Sequence, residues 1–160
     1  MKQIFKYVVS WFAAVVTTTV LAVILQTQNV LARLVGVGAD VTIGERLSMT
    51  AYDVLHLGGL YGAFIALAFV VAFFAGGLVF RLAKFGRPIV YVVAGATAMI
   101  VMLYAMQTVF FGVPLIAGAR SGFGIGLQML AGGLGGYIFS RLSQNAKKAP
   151  ELNSEASSIW

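Results

Sequence analysis

The chain has 160 residues, 60% of them hydrophobic and 10% charged, against roughly a quarter charged in soluble domains. With a mean hydropathy of +0.93 it reads as a membrane protein, long enough for one compact bundle and too short for two domains. The absence of cysteine excludes disulfides, thiolate zinc sites, iron–sulfur clusters and thiol catalysis. The net charge of +6 lies between apolar segments, so it speaks for membrane topology and against nucleic acid as a partner.

In chain order, the first apolar run is Tyr7 to Leu25, preceded by Lys2 and Lys6. It exceeds the roughly 7–15 residues of a signal-peptide core and is expected to remain as a span, although Val30-Leu31-Ala32 offers a small-residue end. Residues 26–56, "QTQNVLARLVGVGADVTIGERLSMTAYDVLH", form the one substantial loop. Gln26 to Val35 can prolong the first span as a partly polar helix, which Gly36 and Gly38 then break. Thr42 with Glu45 three residues on is a capping box, each side chain able to satisfy an open backbone N–H at a helix start. A helix from Ile43 places Ile43, Leu47, Ala51 and Val54 on one face and Glu45, Arg46, Met49, Thr50, Asp53 and His56 on the other. This predicts a short amphipathic outer helix before span two, at the membrane surface or capping the bundle.

The second run is Leu57 to Phe80, the third Ile89 to Gly112, and the fourth Gly118 to Ser140, with Arg120 near its entrance. Each matches the roughly 20 residues a helix needs to cross the hydrocarbon layer, and continuous apolarity without alternation favours helices over a barrel. The expected fold is an all-α integral membrane four-helix bundle over residues 1–142, followed by a disordered cytoplasmic tail, 143–160, polar and containing Pro150. Lys2, Lys6, Arg81, Lys84, Arg87, Arg141, Lys147 and Lys148 fall on one side of such a bundle. Arg33, Arg46 and Arg120 fall on the other, balanced by Asp40, Glu45 and Asp53. The bias predicts cytoplasmic N- and C-termini in a bacterial inner membrane.

The fourth run is rich in glycine. Wound at about 100° per residue, Gly118, Gly122, Gly126, Gly133, Gly136 and Ser140 form one stripe. Span two supplies Gly58, Gly62 and Gly76 in matching positions. Small residues let helix backbones approach closely, so the expected role is packing within the bundle, with a homo-oligomer interface as the alternative. Gly122-x-Gly124-x-Gly126 matches no nucleotide-binding glycine fingerprint, and no strand precedes it.

Few residues can carry chemistry. His56 is the only histidine, so a histidine-rich metal centre is excluded. With Asp53 one turn away it can form an acid–base pair or a structural hydrogen bond at the membrane boundary. As a lone axial haem ligand it would lack both an attachment motif and a second histidine. Arg120 near the hydrocarbon must pair, snorkel or bind something, and Asp53 before Glu45 is its expected partner. Arg120, Asp53, His56, Glu45 and Arg46 are thus the candidates for a ligand, anion or lipid site. Gln107 and Gln128 are expected to bridge helices, and Thr17, Thr18 and Thr19 to bond back to their own helix carbonyls. Tyr7, Trp11, Tyr61, Tyr91 and Tyr137 lie near span ends, where interfacial anchors sit. Spans two and three carry no Asp, Glu, Lys or Arg, which argues against a proton-driven pump or a voltage sensor.

The segments "GERLSMTAYDVLHLGGLYG" and "GARSGFGIGLQMLAGGLGGYIFSRL" resemble uncharacterised small four-span bacterial inner-membrane proteins, as a general pattern over about residues 7 to 142. The resemblance implies the four-span fold and no activity, so no functional residue follows from it. With no catalytic set and no cofactor or metal motif, the expectation is a structural or accessory protein, subunit or partner of a membrane assembly. Its expected partners are membrane lipids and another membrane protein or a second copy of itself. A small transporter or lipid- or anion-binding protein is the alternative, and a membrane enzyme using Asp53 and His56 the third reading.

Overall fold

In the computed structural model, the structure describes residues 2–83, 86–109 and 116–157, with side chains for 3–82, 86–109 and 116–144. Helix α1 spans Lys2–Gly36, α2 Ile43–Ala83, α3 Arg87–Val109 and α4 Gly122–Ser157, with a short 3-10 turn over Ala117–Arg120 before α4. All four helices are long and apolar enough to cross a membrane. No strand occurs among the described residues. In lipid every backbone N–H and C=O must be satisfied within the segment, and the helix does that at any sequence this apolar. Gly112, the expected end of span three, and Lys84 lie outside the described residues.

Helices α1 and α2 exceed their apolar runs. At 1.5 Å per residue, the 35 residues of α1 and the 41 of α2 reach about 50 and 60 Å, beyond the roughly 30 Å of hydrocarbon. The surplus lies at the end of the bundle opposite the termini, where the pair continues as an antiparallel stalk. Its turn follows from two local devices. Gly38 takes φ 94°, Gly38 N–H donates to the Val35 carbonyl and Ala39 N–H to the Leu34 carbonyl. That is a Schellman end with glycine in the left-handed position. At the start of α2, the Thr42 N–H and hydroxyl each donate to Glu45 Oε2 at 2.8 Å, and the Glu45 N–H returns to Thr42 Oγ1 at 3.3 Å, as the spacing predicts.

The amphipathic segment is therefore the first turns of α2 and not a separate helix. The two expected faces are mixed, with Val54 packed on the core and Glu45, Met49 and His56 exposed. Ile43, Leu47 and Ala51 are exposed, while Arg46, Thr50 and Asp53 turn toward α1.

The two bonds from Thr42 hold the Glu45 carboxyl below the ordinary carboxylate range. Since the folded-state value is the lower one, the cap is complete above the free-carboxyl range and is lost as pH falls through the depressed value. Acid titration followed by backbone NMR should show residues 43–46 losing helical shifts before the spans change, and Glu45→Gln should remove that pH dependence.

Around the bundle, α1 packs on α2 and α4, and α3 on α2 and α4. Ile65, Phe69 and Met99 fill the centre, and Phe69, Phe73, Tyr91 and Phe139 make an aromatic stack toward the terminal end. The closest approach is between α3 and α4. A Cβ added at Gly132 would collide with the Gly95 carbonyl and Met99, and one at Gly136 with the Tyr91 carbonyl. The packed face of α4 runs through Gly124, Gln128, Gly132, Gly135, Phe139 and Ser143. It overlaps the expected glycine stripe at Gly133, Gly136 and Ser140, but Gly122 and Gly126 have nothing within 4 Å of a Cβ position and face no neighbour. On α2, a Cβ at Gly62 would stand 3.2 Å from Thr19, one at Gly76 3.3 Å from Ala94, and one at Gly58 4.0 Å from Thr19. The α4 backbone stays helical to Ser157, where the sequence predicts a disordered tail from residue 143; Ala, Lys, Glu and Leu in that stretch are good helix formers.

Candidate functional site

The polar side chains collect at three levels. At the stalk, α1 presents Gln26-Thr27-Gln28-Asn29. The Thr27 hydroxyl lies 2.7 Å from Asp53 Oδ2 and 2.9 Å from the Val23 carbonyl, one proton between two acceptors. Gln28 Nε2 donates to Thr50 Oγ1 at 3.0 Å, Arg46 Nη1 donates to Gln28 Oε1 at 3.2 Å, and the Thr50 hydroxyl donates to the Arg46 carbonyl at 2.7 Å. These bonds form a closed ring in which one amide serves both neighbours. Asn29 Nδ2 donates to the Gly118 carbonyl at 2.9 Å. Gly118 itself is pressed on Gln26, whose Cγ would lie 2.8 Å from an added Cβ. The 3-10 turn is thereby tied down on α1.

In the interior, the Tyr61 hydroxyl donates to Gln128 Oε1 at 2.8 Å and Gln128 Nε2 donates to the Ala22 carbonyl at 3.0 Å. Three helices meet at one amide that is 1% exposed. The Thr18 hydroxyl reaches the Ala131 carbonyl at 3.5 Å, while Thr19 bonds back to Val15. At the terminal end, Arg87 Nη2 donates to Ser143 Oγ at 2.9 Å and its guanidinium lies 5.5 Å from the Tyr91 ring centre. Arg87 Nε, Ser140 Oγ and Trp11 Nε1 are buried without a hydrogen-bond partner.

The sequence candidates do not converge on one site. His56 is exposed, stacks on Tyr52 with ring centres 3.9 Å apart, and its Nδ1 sits 3.0 Å from the Tyr52 carbonyl, which makes Nδ1 the protonated nitrogen. Asp53 turns the other way, to Thr27, so the two are not an acid–base pair. Glu45 is the helix cap and Arg46 belongs to the stalk ring. Arg120 is exposed and forms no ion pair among the described residues, its two expected partners being engaged with Thr27 and Thr42. Gln128 bridges helices as expected. Tyr61 and Tyr91, expected near span ends, are 2% and 6% exposed, so their rings pack between helices and do not face outward. Tyr137 stays exposed, its hydroxyl taking a bond from Arg141 Nε at 2.9 Å. No cluster of three or more His, Asp or Glu suited to a metal ion occurs among the described residues.

Arg120→Ala is expected to leave thermal stability in detergent within about 0.5 kcal/mol. Asn29→Ala, which strips the Gly118 carbonyl of its donor, should cost about 1 kcal/mol. The reverse ranking would restore Arg120 as a structural ion-pair residue.

One large cavity completes the picture, an apolar groove of about 970 Å³ between α2 and α3, open on the outside of the bundle. Together these features define a multi-pass integral membrane protein, a four-helix bundle whose polar side chains chiefly hold its own helices together. No protein-family model, curated protein or solved structure matches this chain.

Proposed function

We propose that this chain is a structural or accessory protein of a membrane assembly, seated in a bacterial inner membrane with both termini in the cytoplasm. The observation that carries the reading is the Tyr61–Gln128–Ala22 tie. The polar groups at mid-bundle are used to lock α1, α2 and α4, which is what a rigid scaffold needs and a moving solute path does not. Small-residue packing of α3 on α4 supports the same reading, since close backbone contact resists rearrangement. The acid–base reading of Asp53 and His56 finds no geometric support, because the two side chains diverge.

The test is purification of the tagged full chain from native membranes in mild detergent. A stoichiometric protein partner, retained in the Asp53→Asn and His56→Gln variants, supports the reading. A chain that runs alone and carries a bound solute overturns it in favour of transport or ligand binding. Reporter fusions at residue 160 and within 36–42 test the orientation, with the first expected to report cytoplasm.

A further inference from the structure

The α1–α2 stalk carries apolar side chains on its outer surface. Counted from Gln26, where the apolar run of α1 ends, the tip at Gly36 lies about 15 Å further out at helical rise. The headgroup layer adds only about 5–7 Å to the hydrocarbon on each side, so lipid does not cover the tip. There Val37, Ile43 and Leu47 are 84%, 78% and 68% exposed. The polar side chains Gln28, Arg46 and Thr50 are bonded to one another in the seam between the two helices. Large apolar side chains gathered in water mark an interaction surface, and above the headgroups the partner is protein. The same face continues into the membrane. Leu47 and Val54 stand seven residues apart, as do Ala51 and Gly58, so the four share one side of α2. Val54, Gly58 and Gly62 line a cleft of about 190 Å³ whose other wall is Val16 and Val20 of α1. Both valines are exposed, so the cleft opens outward. Two charges on the stalk are free, one of each sign. Arg33 and Asp40 are exposed and form no ion pair among the described residues, whereas Glu45 caps α2 and Arg46 belongs to the ring.

We propose that this face is the interface of a parallel homodimer, in which the stalk of a second copy lies side by side with the first. Two features choose a second copy over another protein. A copy inserted with the same topology brings its own Ile43 and Leu47, and its own cleft, to the same height, so the aqueous and membrane parts of the face are matched together. A two-fold interface must also be self-complementary in charge. One free cation and one free anion on the same tip meet that condition, with Arg33 of each copy set against Asp40 of the other. A strongly acidic or strongly basic partner would instead set one of the two against like charge. The two parts of the face act differently. Val37, Ile43 and Leu47 supply hydrophobic drive because water surrounds them. The cleft, already bathed in lipid tails, has no such drive and contributes packing. The dimer does not rest on the accessory reading, since a dimer can carry a further subunit or none.

The full chain with one fluorophore at its C-terminus, diluted into phosphatidylcholine vesicles, tests the proposal by single-molecule photobleaching. Two bleaching steps are expected to dominate. Oxidation should cross-link two copies of Leu47→Cys and leave Phe123→Cys, on the exposed start of α4, uncross-linked. Leu47→Glu should weaken the dimer about tenfold or more, because a carboxylate would enter an apolar contact. Its thermal stability should stay that of the wild type, since Leu47 is exposed in the single chain. Arg33→Asp and Asp40→Arg should each weaken the dimer, and the two together should restore it. Single bleaching steps throughout, or a dimer indifferent to Leu47→Glu, would overturn the proposal. So would cross-linking of Phe123→Cys without Leu47→Cys, which would move the contact to α4, or a charge exchange that fails to restore what the single variants lose. Cross-linking of Leu47→Cys in native membranes to a different protein, and not to its own copy, would give the face to that protein and overturn the dimer.

Discussion

Gly132→Leu is expected to prevent the bundle from assembling, whereas Gly126→Ala leaves it as stable as before. At Gly132 the α3 backbone is the obstacle, since the Gly95 carbonyl and Met99 occupy the space a first side-chain carbon would need. Backbone cannot rotate aside as a side chain can, so α3 and α4 must separate, and with them the contacts through Gly136 and Tyr91. Even Gly132→Ala should cost about 1–3 kcal/mol, the range for overpacking in a dense interior. At Gly126 a Cβ meets nothing within 4 Å, and alanine is the better helix former. Thermal unfolding in detergent followed by size-exclusion chromatography separates the cases. A Gly132→Leu protein that elutes and melts like wild type would mean that α3 and α4 are not in backbone contact.

The second large effect is expected at Gln128. Gln128→Leu removes the donor to Ala22 and the acceptor for Tyr61 together, leaving a buried hydroxyl without a partner. Interhelical bonds in membrane proteins contribute up to about 1.7 kcal/mol, so a loss of about 1–2 kcal/mol is expected. Tyr61→Phe alone leaves Gln128 Oε1 unpaired and should cost less, because the tie to Ala22 survives. The double variant Tyr61→Phe, Gln128→Leu should be milder than the two losses added, by at least about 0.5 kcal/mol. Strict additivity would mean that the two side chains do not meet.

Four spans were legible because apolar run length is a property of the chain itself. The ends of the connecting stalk were legible too, at Gly38 and at Thr42–Glu45, since caps are local chemistry. The phase of the glycines was less so. The periodicity of α4 gives a stripe, but which side of it meets a neighbour depends on α3. A 3-10 turn also interrupts the chain before Gly122, so Gly118 does not share the register of the helix that follows. The burial of Tyr61 was hidden for a related reason. It stands near the start of an apolar run, and its inward direction is set by Gln128 of α4, a partner the run itself does not reveal. The amide-rich stretch Gln26–Asn29 carries most of the stalk's polar ties, and its only sequence signal is polarity in a prolonged span. An amide faces water as readily as another helix, and only the partner decides.

The central claim is that the middle of this bundle is closed by its own polar ties and packed backbones. The chain has no cysteine of its own, so one introduced thiol gives an unmixed signal. Thr18 is 0% exposed, beside Gly135 and the Ala131 carbonyl at the heart of the bundle, and Thr18→Cys is close to isosteric. In sealed proteoliposomes, a water-soluble methanethiosulfonate reagent applied to either side should leave Cys at position 18 unmodified, while Cys introduced at the exposed Gly44 reacts fully. Modification at position 18 in the folded protein would reveal a water path through the bundle and contradict the scaffold account.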